Sequence, residues 1–405
     1  MNVLLRYCLL AVGLTGVSLT AFASGPMTPS YFEWDLAAGS GGEDGQLLLG
    51  GRLRAQAEWD LISVDLNVPL YFTRQAESDA FEWRNTNRAS AIIGWIDTFQ
   101  FEPSHRGWRI ALERSDSLTL GSGALVREFM PVTGILEGGT RLSADVHLPG
   151  ATFALRSGEI TRGKEWFLHA ESHPLSYLNI DRSHRFTTSL TLATDLENDI
   201  AAAALGGRLK LFQSEHYSFS LVGDMVTSFS RGDGLHAGFS FEGTKRVAWR
   251  WVAQAILAGE GYAPGLWDAG YVLEVGDNAQ EWSLPDRSSQ LWLTSAAQVI
   301  IDRVSFEWSI DIPVDEQRFE NKLDVSIQYP RWSASTRWTH RALDSRDAII
   351  SRDGRVFGEV EARWLAHKLF YLGATWQRAW ERFGTDKPEL VNVGLLMVGL
   401  NGHHD

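Results

Sequence analysis

The stretch Val304-Ser305-Phe306-Glu307-Trp308-Ser309-Ile310-Asp311-Ile312 decides the fold. Every second residue is apolar, and the residues between them are Ser, Glu or Asp. Period two is the signature of a β-strand, whose side chains point alternately to opposite faces. The same pattern recurs along the chain. From Ile62 to Phe72 the apolar set is Ile62, Val64, Leu66, Val68, Leu70 and Phe72, with Ser63, Asp65 and Asn67 between them. From Val247 to Leu257 one face holds Trp249, Trp251, Ala253 and Ala255, and the other Arg250 and Gln254. Trp332, Ala334 and Trp338 alternate with Ser333, Arg337 and Arg341 in the same way.

Run length separates a membrane strand from a soluble one. Strands in globular proteins average about five or six residues. A tilted strand needs about 9 to 11 to cross the hydrocarbon layer, and many runs here reach that length. The joints come in two styles. Trp59 to Leu61, Pro149-Gly150, Ser214 to His216, Asp302-Arg303, Pro330-Arg331 and Leu365 to His367 are tight. Gln75 to Arg88, Gly276 to Ser288 and Leu343 to Arg355 are long and polar. Short turns at one end and long loops at the other describe an outer-membrane barrel. The alternation of styles slips once between Gly259 and Ser288, and the runs around Leu155 and Trp166 are short for a span. About 21 runs and an even-numbered wall give an expectation of 18 antiparallel strands, within a range of 16 to 20.

The 17 Trp residues fit this reading. Trp332 and Trp338 share a face six residues apart, about 20 Å along a strand. That is close to the apolar band of about 25 Å flanked by aromatic girdles. Trp376 and Trp380 crowd one end of their run.

The amino terminus reads as a signal peptide over residues 1–23, leaving the barrel in 24–405. Arg6 precedes an apolar run that ends at Ala21-Phe22-Ala23, the small-residue pattern of a cleavage site. Cys8 is the one cysteine and lies in that segment, so the mature chain would have no thiol chemistry. The formal charge is −13, and losing Arg6 with no acid makes it one unit more negative. An acidic chain without long single-sign blocks is a poor nucleic-acid binder.

If the apolar faces meet lipid, the other faces line a lumen. The expected lining is Arg52, Arg54, Glu58, Asp65, Arg109, Glu113, Arg141, Asp145, Arg208, Lys210, Asp224, Arg250, Glu307, Asp311, Asp324, Arg337, Arg341, Glu359 and Glu361. Unpaired charge in a low dielectric costs several kcal/mol. These groups therefore either line a hydrated channel or pair across a narrow one and brace it. Residues 115–139 (SDSLTLGSGALVREFMPVTGILEGG) are long, Gly-rich and moderately apolar. They either fold inward as a constriction or form an extra hairpin or an external loop.

Catalytic and metal patterns are weak, and the expectation is a protein without cofactor, metal or enzymatic activity. His169 and His173 have helical metal spacing, but in a strand-and-loop context and without the Glu of a zincin. Gly121-Ser122-Gly123 lacks the outer Gly of a nucleophile elbow. Ser172-His173 and Ser183-His184 are the pairs a barrel hydrolase would need, and no spacing singles them out.

The whole chain after residue 23 resembles Gram-negative outer-membrane porin-like barrels. The words Leu118-Thr119-Leu120-Gly121-Ser122-Gly123-Ala124-Leu125-Val126 and Asp145-Val146-His147-Leu148-Pro149-Gly150 look like a segment of myxobacterial barrels associated with polysaccharide export. That resemblance implies an outer-membrane channel for polar solutes or a polysaccharide, surrounded by lipid and with periplasmic export or assembly partners. A barrel closed by lumen salt bridges and a barrel lipid hydrolase are the other functions such an architecture can serve. One departure stands out. Such barrels end in an aromatic residue, whereas this chain runs Val391, Val393, Leu395, Met397 and ends Gly402-His403-His404-Asp405.

Overall fold

The structure is a computed structural model. It describes residues 31–404 except 44–45, 75–80, 84–95, 104–106, 115–117, 122–123, 125, 127–139, 159, 161–162, 179–184, 198, 229–231, 246, 260–261, 263–290, 315–318, 344–354, 368 and 382–388. The expected signal peptide lies outside the described residues.

Among the described residues there are twenty-one strands: β1 (Tyr31–Glu43), β2 (Gln46–Glu58), β3 (Ile62–Arg74), β4 (Phe81–Trp83), β5 (Ile96–Phe101), β6 (Trp108–Arg114), β7 (Thr140–Leu148), β8 (Ala151–Ser157), β9 (Glu165–Ser172), β10 (Phe186–Asp195) and β11 (Ile200–Gln213) in the first half of the series. The rest are β12 (Tyr217–Ser228), β13 (Gly232–Gly243), β14 (Ala248–Ala258), β15 (Leu291–Ile301), β16 (Val304–Pro313), β17 (Phe319–Tyr329), β18 (Trp332–Leu343), β19 (Arg355–His367), β20 (Phe370–Glu381) and β21 (Glu389–His404). Strand β4 pairs antiparallel with only the last three residues of β3, whose first residues pair onward with β5. The other twenty pair antiparallel with their sequence neighbours, and β1 closes on β21 from Phe32↔His404 to Glu43↔Val393. The result is an all-β closed antiparallel barrel.

Twenty strands fall inside the expected range and exceed the expected eighteen. The short runs around Leu155 and Trp166 are wall strands β8 and β9, of seven and eight residues. The slip of phase has a simple origin too. Strand β14 pairs directly with β15, so the long interval between them contributes no wall strand.

With twenty wall strands, the start of β1 and the end of β21 lie at one end. The turns after β2, β7, β11, β15, β17 and β19 lie at that end, and the longer intervals after β3, β14 and β18 lie at the other. The expected short joints therefore share one rim. The β19 turn is shifted slightly, because Leu365 and His367 belong to a bulge at the end of the strand.

Apolar side chains cover the outside. Ile110, Leu155, Leu205, Met225, Leu235, Leu257, Leu293, Leu396 and Val398 are all exposed. Tyr329 and Trp332 stack at 4.8 Å at the short-turn end, and Trp338 and Trp376 meet at 5.4 Å towards the other. The side chain of Trp380 lies outside the described residues. Strand β21 turns the other way from a simple lipid-facing reading of its apolar run. Val393, Leu395 and Met397 are buried inward against Ala37 and Tyr371.

Candidate functional site: the barrel interior

The inner faces carry most of the expected lining residues, and their charges pair along the wall. Arg54 donates to Asp65 through Nε at 3.1 Å and Nη2 at 2.5 Å, across the β2–β3 ladder. Arg109 reaches Glu113 at 3.0 Å and Asp145 at 3.6 Å; Arg156 meets the same Asp145 at 2.6 Å. Ser143 donates to Glu113 from the next strand. Arg208 and Arg250 converge on Glu242 at 2.7 and 3.4 Å, with the Ser218 and Ser240 hydroxyls also donating to it. Glu307 lies 3.9 Å from Lys322, and Asp324 lies 2.9 Å from Arg337. Gln56 donates to Glu58 on its own strand.

Three further lining residues, Arg141, Asp224 and Asp311, are buried against the wall. Lys210, Glu359 and Glu361 are half-buried. The side chain of Arg341 lies outside the described residues. The side chains of Arg54, Arg208, Arg250 and Arg337 keep 32 to 52% of their surface exposed. Pairs that wet contribute about 0–1 kcal/mol each.

A second cluster sits inside the closing seam. Arg363 binds Asp35 at 3.0 Å, Tyr371 donates to the other Asp35 oxygen at 2.7 Å, and Arg52 donates to the Tyr371 oxygen at 3.3 Å. The Arg363 guanidinium also lies over the Tyr371 ring, 3.9 Å from its centre. The ring reaches Asp35 by crossing Gly399, where a Cβ would stand 2.1 Å from it. Sequence reasoning missed Asp35, Arg156, Glu242 and Tyr371. Asp35 and Glu242 were findable, because each takes the polar beat of an alternating run (Trp34-Asp35-Leu36 and Phe239-Ser240-Phe241-Glu242).

The interior is not uniformly charged. Leu118, Leu120, Ala124 and Val126, from the interval between β6 and β7, are buried in one apolar cluster. The wall contributes Phe167, Ala193, Ala202, Ala204, Val226, Ile256 and Trp292, all on inward-facing positions of β9 to β15. Leu120 N–H donates to Val126 O at 3.0 Å, which folds the segment back on itself. Gly121 adopts φ of 60°, a left-handed conformation suited to Gly. It packs onto His169 so closely that a Cβ would lie 3.1 Å from Cε1.

Tyr262, four residues beyond β14, fastens this segment. Its hydroxyl donates to Ala124 O at 3.2 Å and accepts from His236 Nε2 at 2.7 Å, all three being buried. Because His236 and Ile256 face inward, the segment reaches them through the barrel interior.

The catalytic and metal candidates have other partners. His169 Nδ1 lies 2.9 Å from the Thr191 hydroxyl, and His173 Nδ1 lies 3.1 Å from that of Thr187. Ser183 and His184 lie outside the described residues. Among the described residues no group of three His, Cys, Asp or Glu is placed to hold a metal.

No family model and no curated protein matches the chain. Similar solved structures carry the names Opd and Occ. Pseudomonas aeruginosa OpdQ aligns at 13% identity over 92% of this chain and 98% of its own, with a TM-score of 0.38. Pseudomonas aeruginosa OccK3 (OpdO) aligns at 13% over 92% and 95%, with a TM-score of 0.37. Acinetobacter baumannii OccAB3 aligns at 8% over 92% and 99%, with a TM-score of 0.35.

Proposed function

We propose that the chain is an outer-membrane channel for small polar solutes, narrowed from one side by the segment that carries Leu118, Leu120, Ala124 and Val126. The observation that carries this reading is the two-sided wall: large apolar side chains outside, and partly wetted ion pairs inside. Twenty strands about 4.8 Å apart and tilted by about 40° make a backbone cylinder roughly 40 Å across. Side chains on opposite walls do not span that width, and the ion pairs described above run along the wall. Water is the natural occupant of the remaining space.

The segment held against β9–β15 takes part of this lumen and leaves the inner faces of β16 to β18 more open. Glu307, Lys322, Asp324 and Arg337 lie along that side and are half-buried. Solutes passing there meet both signs of charge, which favours small polar molecules over greasy ones.

Purified barrel in a planar bilayer is expected to give discrete ion currents. Deletion of residues 118–126 is expected to raise the single-channel conductance and the size of solute admitted in liposome swelling. Inserted barrels that stay electrically silent both with and without the segment would refute a channel. They would favour a barrel that works through its loops.

A further inference from the structure

We propose that the short-turn rim of β12–β14 holds an anionic phospholipid by its headgroup. This rests on the membrane reading above. Tyr217, Lys245, Val247 and Trp249 line a cavity of about 360 Å³ there. That volume is at the small end of ligand sites and suits a headgroup more than a whole lipid.

The cavity opens on the outer face. Tyr217 shares its side of β12 with the exposed Leu221 and Met225, and Trp249 shares its side of β14 with exposed Trp251 and Leu257. The floor is built rather than incidental. Thr244 N–H donates to His216 O at 2.9 Å and ties the two turns together. The Trp249 indole lies over Gly243, where a Cβ would be 2.4 Å from Nε1, and meets Phe241 edge-on at 4.8 Å.

Charge then selects the occupant. Lys245 is exposed at the mouth, and among the described residues no carboxylate pairs with it. Phe219, Phe239 and Trp251 continue the outer face away from the rim in ring contacts of 5.0 to 6.0 Å. A phosphate on Lys245, amphipathic rings at headgroup level and an apolar lane for acyl chains describe one molecule lying along the wall.

The test compares the intact barrel with Lys245→Gln by native mass spectrometry after reconstitution in mixed phosphatidylglycerol and phosphatidylcholine vesicles. The wild type is expected to retain phosphatidylglycerol over phosphatidylcholine, and K245Q to lose that preference about fivefold. Equal retention of the two lipids by the wild type would overturn the site, and so would an unchanged preference in K245Q. Displacement of the lipid by millimolar inorganic phosphate would overturn the lipid as occupant in favour of a free anion. Flotation separates the two failures. A barrel that does not float with vesicles fails the membrane reading itself, whereas one that floats without preference fails only this proposal.

Discussion

Removing the Tyr262 hydroxyl is expected to loosen the inward segment without disturbing the wall. In Tyr262→Phe the ring remains over Gly234, where a Cβ would come within 2.3 Å of it. The bonds to Ala124 O and His236 Nε2 disappear. Each is worth about 1 kcal/mol net, so the pair contributes about 2 kcal/mol. That shifts the balance between seated and released segment about 30-fold. Tyr262→Ala also removes a ring that is 1% exposed, and truncating a buried aromatic costs about 3–5 kcal/mol. Single-channel recording reads both. Y262F is expected to show more frequent excursions to a larger current level, and Y262A to dwell there. If the 118–126 deletion enlarges the current while Y262A stays at the wild-type level with wild-type noise, the segment is not held by Tyr262.

Gly399→Ala is expected to lower the temperature at which the folded barrel unfolds on a denaturing gel, because the new methyl meets the Tyr371 ring inside the closing seam. Gly207→Ala is the matched control and should leave that temperature unchanged, since nothing lies within 4 Å of its Cβ position. Asp35→Asn leaves Arg363 and Arg52 without their shared carboxylate. Both guanidiniums keep some access to water, so the loss is about 1–3 kcal/mol. Reversal potentials under a salt gradient should move towards anions, and an unchanged potential would place Asp35 out of reach of the permeating ions.

The wall was legible because lipid outside and water inside impose opposite chemistry on alternate residues. Val304 to Ile312 and Ile62 to Phe72 carry that contrast in full. Legibility failed where the inside is packed rather than wet. Ile200 to Leu205 reads Ile-Ala-Ala-Ala-Ala-Leu; Ala202 and Ala204 face the segment while Leu205 faces out. Val393 to Val398 is apolar on both faces for the same reason. Alternation assigns two faces to a strand but cannot say that a loop from β6 will cover one of them. Tyr371 was missed on a related ground. Its role depends on Gly399 and Asp35, which closure brings beside it from the far ends of the chain.

That closure also decides what an incomplete wall would expose. Strand β1 comes early in the chain and its partner β21 comes last, ending at His404. Until β21 docks, β1 keeps a row of open N–H and C=O groups along one side. A wall without β21 has two unpaired margins, the kind of edge that joins other strands. The finished cylinder has none. Both margins are satisfied together, when the sixteen residues of β21 pair with β1.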